Sequence, residues 1–274
     1  MQGRQSHSSY HPTTKDTVSA SAIAINGEVH TITGEKAPHE VPRALTVEEI
    51  KATVQEYVKA TKLAKEAGFD GVEVHAANGY LIDQFLQSST NKRTDEYGGS
   101  MENRTRFLLE ILDALKEDGT YPIDRVGVRL SPNGAYGDMG AEDNYELFPY
   151  VAKQLNKYGL AYLHIMDGHG FGFHGKSKSV TTYDMRKEFD GPIIANVGLT
   201  KDIAEGMIRS GVVDLAAFGR PYISNPDLKE RYENGWPLND EAPFSVYYGP
   251  LGPKGYTEYP VYEKPSEDEK TDKQ

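Results

Sequence analysis

Three polar side chains, His75, Asn78 and Tyr80, stand within six residues of one another in the stretch "GVEVHAANGYLIDQFL", residues 71–86. An imidazole and a carboxamide can donate hydrogen bonds together and stabilise the negative charge that develops on a carbonyl oxygen. A tyrosine hydroxyl can deliver a proton in the same reaction. An isolated histidine more often caps its neighbours, and an isolated tyrosine more often packs in the core. Three such groups in one turn favour a catalytic or binding site.

The three residues lie where an apolar run meets the start of a helix, and the chain repeats this alternation from Thr46 onward. Thr46 and Glu49 have the spacing of a capping box, an apolar stripe follows them, and Gly68 ends the first helix. Helical patterns then separate five apolar runs, "GVEVHA", "RVGVRLS", "LAYLHIMDG", "PIIANVG" and "VDLAAFGR". Strands that alternate with helices predict a parallel sheet covered by helices.

Polar residues and glycines recur where these five runs end. A barrel carries its active site at the carboxyl ends of its strands, whereas an open sheet binds ligands mainly at one switch point. The sequence therefore favours an α/β fold of the (β/α)8 TIM barrel type, incomplete because about five of eight βα units are recognised. The residues at these ends are His75, Arg129, Asp167, Gly168, Asn196, Gly198, Gly219 and Arg220.

The ends of the chain differ from this pattern. Before Thr46, Asn26 and Gly27 between apolar stretches predict a β-hairpin rather than a barrel strand. We expect residues 1–262 to form the barrel domain and the charged residues 263–274 to be disordered.

Composition restricts the class of protein. The 274 residues carry a net charge of -11, which argues against non-specific binding to nucleic acid or anionic membranes and favours a small-molecule substrate. There is no cysteine, so disulfides and thiolate sites are excluded. No apolar run is long enough for a membrane span, and the N-terminus lacks the apolar core of a secretory signal. We expect a soluble, cytoplasmic protein.

The stretch "HAANGYLIDQFLQSSTNKRTDEYGGSMENRTRFLLEIL" resembles the flavin-dependent ene-reductases of the old yellow enzyme family. The segments "GVRLSPNGAYGDM", "AAFGRPYISNPDL" and "GYTEYP" occur in the order of that family, and fungal members are the most similar. The resemblance implies an FMN-dependent oxidoreductase that reduces the C=C bond of α,β-unsaturated carbonyl compounds with NADPH or NADH. It is also compatible with a homo-oligomer.

The resemblance implies a role for each candidate residue. His75 and Asn78 would bind the carbonyl oxygen of an enone or enal, Tyr80 would protonate Cα, and Arg129 would lie beside the flavin ring, where its guanidinium stays protonated. Backbone N–H groups would bind the FMN phosphate, and two tyrosines would shape the substrate pocket. The phosphate residues are Val197, Gly198, Gly219 and Arg220, and the pocket residues are Tyr136 and Tyr256.

Alternatives remain open. "GRQSHSSYHP" resembles the segment just after the family's third barrel strand, so three βα units that supply part of the flavin site would be missing. Flavin binding would then be weak or absent, and activity would be in doubt. The chain would then be a non-catalytic remnant or a partner-binding fragment. Another phosphate-binding barrel enzyme, such as an aldolase, would need a catalytic group such as Asp167. His169 and His174 share a loop, but their spacing is not typical of metal ligands and no metal is predicted.

Overall fold

The computed structural model describes residues 2–11, 13, 16–170, 172–247 and 252–264. The chain divides into two compact units, Met1–Ala216 and Ala217–Gln274. The helices of the first unit are α1 (Val47–Glu66), α2 (Leu81–Leu86), α3 (Met101–Asp118), α4 (Asn144–Leu155), α5 (Thr182–Arg186) and α6 (Lys201–Arg209). The second unit contains α7 (Arg220–Ser224) and α8 (Leu228–Asn234).

The strands begin with four short ones, β1 (Val18–Ser19), β2 (Glu28–His30), β3 (Lys36–Pro38) and β4 (Arg43–Ala44). Five further strands form one sheet in the order of the sequence, and they are β5 (Val72–His75), β6 (Val126–Leu130), β7 (Tyr162–Met166), β8 (Ile193–Asn196) and β9 (Leu215–Ala217). The pairs from β5 to β8 are parallel. The five predicted strands are therefore confirmed.

The register of the sheet aligns side chains from neighbouring strands. His75 pairs with Arg129, Arg129 with His164, and His164 with Ile194. Residues in one row across parallel strands point to the same face of the sheet. The row therefore places His75, Arg129 and His164 on one face, although they are far apart in the sequence.

The predicted first helix is confirmed as α1. Thr46 Oγ1 accepts a hydrogen bond from the backbone N–H of Glu49, and the Glu49 carboxylate accepts one from the N–H of Thr46, as a capping box requires. The apolar stripe of α1 packs against α3, and the rings of Tyr57 and Phe107 meet edge to face at 6.4 Å. Val74 of β5 belongs to the same apolar cluster as these helices, and the candidate turn follows β5.

The N-terminal hairpin differs from the prediction. Strands β2 and β3 form an antiparallel pair, but the turn is at Thr31–Glu35, and Asn26 and Gly27 precede β2. Gly34 adopts a left-handed φ of 83° there, so it supplies the conformation that the Asn-Gly pair was expected to supply. The parallel pairing of β1 with β4 was not predicted. Of the expected disordered tail, residues 265–274 lie outside the described residues.

No helix within the described ranges is long and apolar enough to cross a membrane. The cytoplasmic location stays a prediction.

Candidate functional site

His75 is the last residue of β5, and its protonation state follows from its contacts. The backbone N–H of Ala77 donates to His75 Nδ1 at 3.3 Å, so a neutral imidazole carries its proton on Nε2. Burial lowers the pKa of His75, and the positive charge of Arg129 lowers it further. His75 is therefore neutral at pH 7 and has an Nε2–H group available as a donor.

Tyr80 lies beside this histidine. The two rings meet edge to face, with 5.0 Å between their centroids and an interplanar angle of 75°. Both side chains line a cavity of about 410 Å³, together with Tyr57, Val72 and Glu73. A histidine donor and a tyrosine hydroxyl thus share one cavity that is large enough for a small organic molecule.

Asn78 occupies a left-handed backbone conformation with φ of 55°, and Gly79 follows with φ of 72°. The Asn78 N–H donates to Ser131 Oγ at 2.7 Å, and its carbonyl accepts from Gln5 Nε2 at 2.6 Å. Asn78 lines a second, smaller cavity with Ser131 and the exposed Tyr136. The structure therefore groups His75 with Tyr80, and Asn78 with Tyr136. Convergence of His75 and Asn78 on one oxygen stays a proposal.

Arg129 carries a partly satisfied guanidinium. Its Nη2 donates to Asn196 Oδ1 at 3.1 Å, whereas its buried Nε has no hydrogen-bond partner among the described residues. Burial lowers the pKa of Arg129, and the negative charge of Glu73 opposes that shift. A buried donor without an acceptor costs about 1–3 kcal/mol, so a bound group that offers an acceptor would be stabilised here.

The segments that follow β7 and β8 meet closely. Val197 has a φ of 80° and Gly198 a φ of 73°, and a left-handed conformation is an outlier for a β-branched residue such as valine. A Cβ on Gly168 would collide with the carbonyl oxygen of Val197. Thr200 Oγ1 then accepts from the N–H of Ile203 and caps α6. Strained turns of this kind are common at ligand sites, which supports the prediction for Val197 and Gly198.

Three predicted residues belong to the second unit. Gly219 precedes α7, and Arg220 Nη1 lies 3.8 Å from Glu241 Oε1. Tyr256 is exposed, and its hydroxyl donates to the carbonyl of Tyr247. Their roles in binding phosphate and substrate remain predictions.

The alternative site residues have partners of their own. Asp167 Oδ2 accepts from the N–H and the hydroxyl of Thr182, both at 2.7 Å, so it holds the start of α5. His169 stacks on Phe173, and His174 Nδ1 accepts from the N–H of Lys176. Within the described part of the chain, no group of three or more His, Asp or Glu residues is arranged to hold a metal.

Sequence reasoning missed two acidic residues near the site. Glu73 Oε2 lies 2.9 Å from His164 Nδ1, and Asp83 is completely buried in α2. The position of Glu73, two residues before His75 in a strand, puts both on one face and could have identified it. Asp83 interrupts the apolar run "LIDQFL", and that signal is also visible in the sequence.

Comparisons with known proteins identify the family of this chain. The family model described as the NADH:flavin oxidoreductase / NADH oxidase family matches residues 1–239. A probable flavin mononucleotide-dependent alkene reductase of Leishmania infantum is 42% identical, over 89% of this chain and 66% of its own length. The 12-oxophytodienoate reductase 2 of Arabidopsis thaliana is 38% identical, over 95% of this chain and 69% of its own length. The chain therefore spans about two thirds of these relatives.

Solved structures give the same picture. An old yellow enzyme homologue from Zymomonas mobilis matches with a TM-score of 0.88 and 38% identity, over 95% of this chain and 72% of that one. Morphinone reductase in complex with tetrahydroNAD matches with a TM-score of 0.84 and 39% identity, over 96% of this chain and 71% of that one. These matches confirm the predicted α/β barrel class of fold.

Proposed function

Because the chain belongs to the NADH:flavin oxidoreductase / NADH oxidase family, we propose that it is an FMN-dependent ene-reductase. It would use NADPH or NADH to reduce the C=C bond of α,β-unsaturated carbonyl compounds. The observation that carries the proposal is the shared cavity of His75 and Tyr80, in which the imidazole keeps its proton on Nε2. The names of the alkene reductase and the 12-oxophytodienoate reductase among the relatives support the same class of substrate.

The residues present fit FMN. The buried Nε–H of Arg129, which has no partner in the part of the chain that the structure describes, would hold an electron-rich edge of the flavin ring. The left-handed turn of Val197 and Gly198 would hold the phosphate through backbone N–H groups, with Gly219 and Arg220 as the further phosphate residues. Bound FMN supplies hydride transfer between the nicotinamide and the alkene.

The side chains of the turn would act on the substrate. His75 Nε2–H and the Asn78 carboxamide would donate to the carbonyl oxygen, which polarises the conjugated alkene and stabilises the charge that develops on that oxygen. The Tyr80 hydroxyl would deliver a proton to Cα. Tyr136 and Tyr256 would limit the shape of the substrate. A neutral His75 suits this role because its Nε2–H remains available as a hydrogen-bond donor.

We also propose that the five-stranded sheet is part of an eight-stranded barrel and that FMN binding by this chain is weak. The support is the coverage of 71–72% of the Zymomonas mobilis and morphinone reductase structures. The fungal origin that the resemblance suggested stays a prediction. The second candidate function, a non-catalytic fragment that binds a partner, follows if the flavin site does not form.

The proposed function is tested by the visible absorption spectrum of the purified chain with added FMN, before and after desalting. Retained absorbance with a shifted band, followed by oxidation of NADPH that depends on cyclohexenone, supports the ene-reductase. A protein that is colourless after desalting is expected if FMN binding is weak, so NADPH oxidation is then measured with FMN in excess. If no cyclohexenone-dependent oxidation occurs under that condition, catalysis by this chain is contradicted and the non-catalytic fragment is favoured. Flavin that is retained through desalting contradicts weak binding.

A second arm tests the substrate residues. Phenols mimic the enolate, so replacing His75 and Asn78 together by alanine should weaken the binding of a phenol to the FMN-loaded protein. His30→Ala, on the exposed strand β2, is the matched control and should bind phenol as the parent does. Unchanged affinity in the double variant would remove both residues from the site.

A further inference from the structure

Asp83 is a completely buried carboxylate in the short helix that follows the candidate turn. No lysine, arginine or histidine of the described chain forms an ion pair with it, so its charge is stabilised mainly by hydrogen bonds. Burying an ionised carboxylate without a paired cation is costly unless several donors surround it. The identity of those donors therefore shows what the carboxylate holds in place.

The donors connect Asp83 to the turn. The backbone N–H of Gly79 donates to Asp83 Oδ2 at 2.8 Å, and Gln87 Nε2 donates to Oδ1 at 2.8 Å. The Ser131 side chain faces the carboxylate and lowers its pKa. Since Ser131 Oγ accepts from the N–H of Asn78 at 2.7 Å, its own proton is free to go to Asp83. The N–H of Gly79 thus binds the carboxylate directly, and the N–H of Asn78 binds the serine that faces it.

The same turn has its carbonyl groups fixed by amides. Gln5 Nε2 donates to the carbonyl of Asn78 at 2.6 Å, and Gln84 Nε2 donates to the carbonyl of Gly79 at 2.7 Å. The left-handed φ of Asn78 needs such support, because a non-glycine residue rarely adopts this conformation, whereas Gly79 adopts it without steric cost. The carbonyl groups of the turn are bound by neutral amides, whereas the N–H of Gly79 is bound by the titratable Asp83.

We propose that Asp83 is a positioning residue whose ionised carboxylate, through Gly79 N–H and Ser131, holds the turn that orients Asn78 and Tyr80, and whose protonation loosens that turn. The link to substrate binding rests on the proposed function, whereas the link to the turn does not. A protonated carboxyl group accepts hydrogen bonds more weakly than a carboxylate, and its own proton points toward donors such as the Ser131 hydroxyl. The hydrogen bonds that hold the N–H groups of Gly79 and Asn78 are therefore weakened.

The surroundings of Asp83 shift the pKa of its carboxyl group toward neutrality. Burial raises the pKa of Asp83 to about 7, against the hydrogen bonds from Gln87 and Gly79 and the charge of Arg4. The elements packed on α2 bring two cations: Arg4 comes from the turn Gly3–Gln5 and faces Asp138, and Arg104 comes from α3. Arg104 donates to the carbonyl of Leu86 and pairs with Asp143. Strand β1 adds the neutral Ser19, which donates to Gln84.

The test follows the amide signals of Asn78 and Gly79 by ¹H–¹⁵N NMR in the full chain without added cofactor, from pH 5.5 to pH 8.5. We expect both signals to shift with one midpoint near pH 7 and to stop titrating in Asp83→Asn. Ser131→Ala should move the Gly79 midpoint upward, because the ionised form loses a donor. Asp124→Asn, an exposed and isosteric change, is the control and should leave the midpoint unchanged.

Two outcomes overturn the inference: a Gly79 signal in the parent that does not titrate, or one that titrates in Asp83→Asn as it does in the parent. If Asp83→Asn does not fold, the parent titration and the Ser131→Ala midpoint decide the question. In FMN-loaded protein, Asp83→Asn should weaken phenol binding about tenfold, as expected when a turn that orients a donor loosens, with the FMN affinity unchanged. If the chain binds no FMN, the proposed function is contradicted, but the NMR titration still tests the role of Asp83.

Discussion

Gly168 and the carbonyl oxygen of Val197 lie so close that a single methyl group on Gly168 would collide with that oxygen. We therefore expect Gly168→Ala to lower the free energy of unfolding by about 1–3 kcal/mol, the usual cost of overpacking, in urea titrations. Gly206→Ala is the matched control, because Gly206 lies within α6 with no atom within 4 Å of the added Cβ. The free energy of unfolding of Gly206→Ala should rise by up to about 1 kcal/mol, because alanine has a higher helix propensity than glycine. Equal stability of the two variants would contradict the close contact.

Arg129 should control the titration of His75. Burial and the charge of Arg129 both hold the pKa of His75 below its ordinary value, so Arg129→Gln should raise it by removing the repulsion. The ring protons of His75, followed by NMR from pH 4 to pH 8, measure the change. Arg125→Gln, an exposed arginine just before β6, is the control and should leave the His75 pKa in place. A His75 pKa that is the same in both variants would show that Arg129 does not act on the imidazole.

Tyr80→Phe should separate the two halves of the proposed reaction. The phenylalanine ring can keep the edge-on contact with His75, whereas the proton donor is lost. We expect reduction of the alkene to slow by about 10²–10⁴-fold, the usual contribution of a general acid, while flavin reduction by NADPH keeps its rate. Stopped-flow absorbance of the flavin follows each half separately. Tyr183→Phe, at an exposed position in α5, is the control. Equal slowing of both halves would point to a structural role for Tyr80.

Glu73 should make part of the stability depend on pH. Burial alone would raise the pKa of Glu73, but the hydrogen bond from His164 and the charge of Arg129 outweigh burial and hold the pKa below its ordinary value. The ionised form therefore stabilises the fold fully above the ordinary glutamate pKa, and this contribution is lost as the pH falls through the lowered value.

Glu73→Gln should consequently cost about 1.5 kcal/mol at pH 7, the lower end for a hydrogen bond to a charged group because Glu73 is partly exposed. The difference from the parent should shrink at pH 3 in urea titrations. Glu117→Gln, on the exposed face of α3, should show no such change. A cost that is the same at both pH values would exclude an ionic contribution from Glu73.

The sequence alone predicts those features of the fold and of the candidate site that depend on residues close together along the chain. The capping box of α1 and the five apolar runs depend on residues that are neighbours along the chain, and His75, Asn78 and Tyr80 share one turn. The pairing of β1 with β4 was missed because strands of two residues have no detectable period. Asn26 and Gly27 predict the hairpin turn instead of Thr31–Glu35, because Gly27 and Gly34 are equally acceptable turn residues in the sequence.

The partners of the site residues could not be predicted in this way. Ser131 meets the Asn78 N–H, and Glu73 meets His164, across 53 and 91 residues of sequence respectively. Such contacts depend on the register of neighbouring strands, and one residue of slip would turn every side chain to the other face. Composition and periodicity do not carry that information. The cavity of His75 and Tyr80 likewise depends on how α1 packs beside β5.

The sequential order of the sheet also affects how the chain folds as it is synthesised. Each of β6, β7 and β8 pairs with the strand made just before it, so its hydrogen-bonding edge is already present when it leaves the ribosome. Each new βα unit can therefore dock without waiting for the C-terminal residues. The contact of Asn78 with Ser131 joins the segments that follow β5 and β6, so it needs no residue from the later part of the chain that contains the Val197 turn.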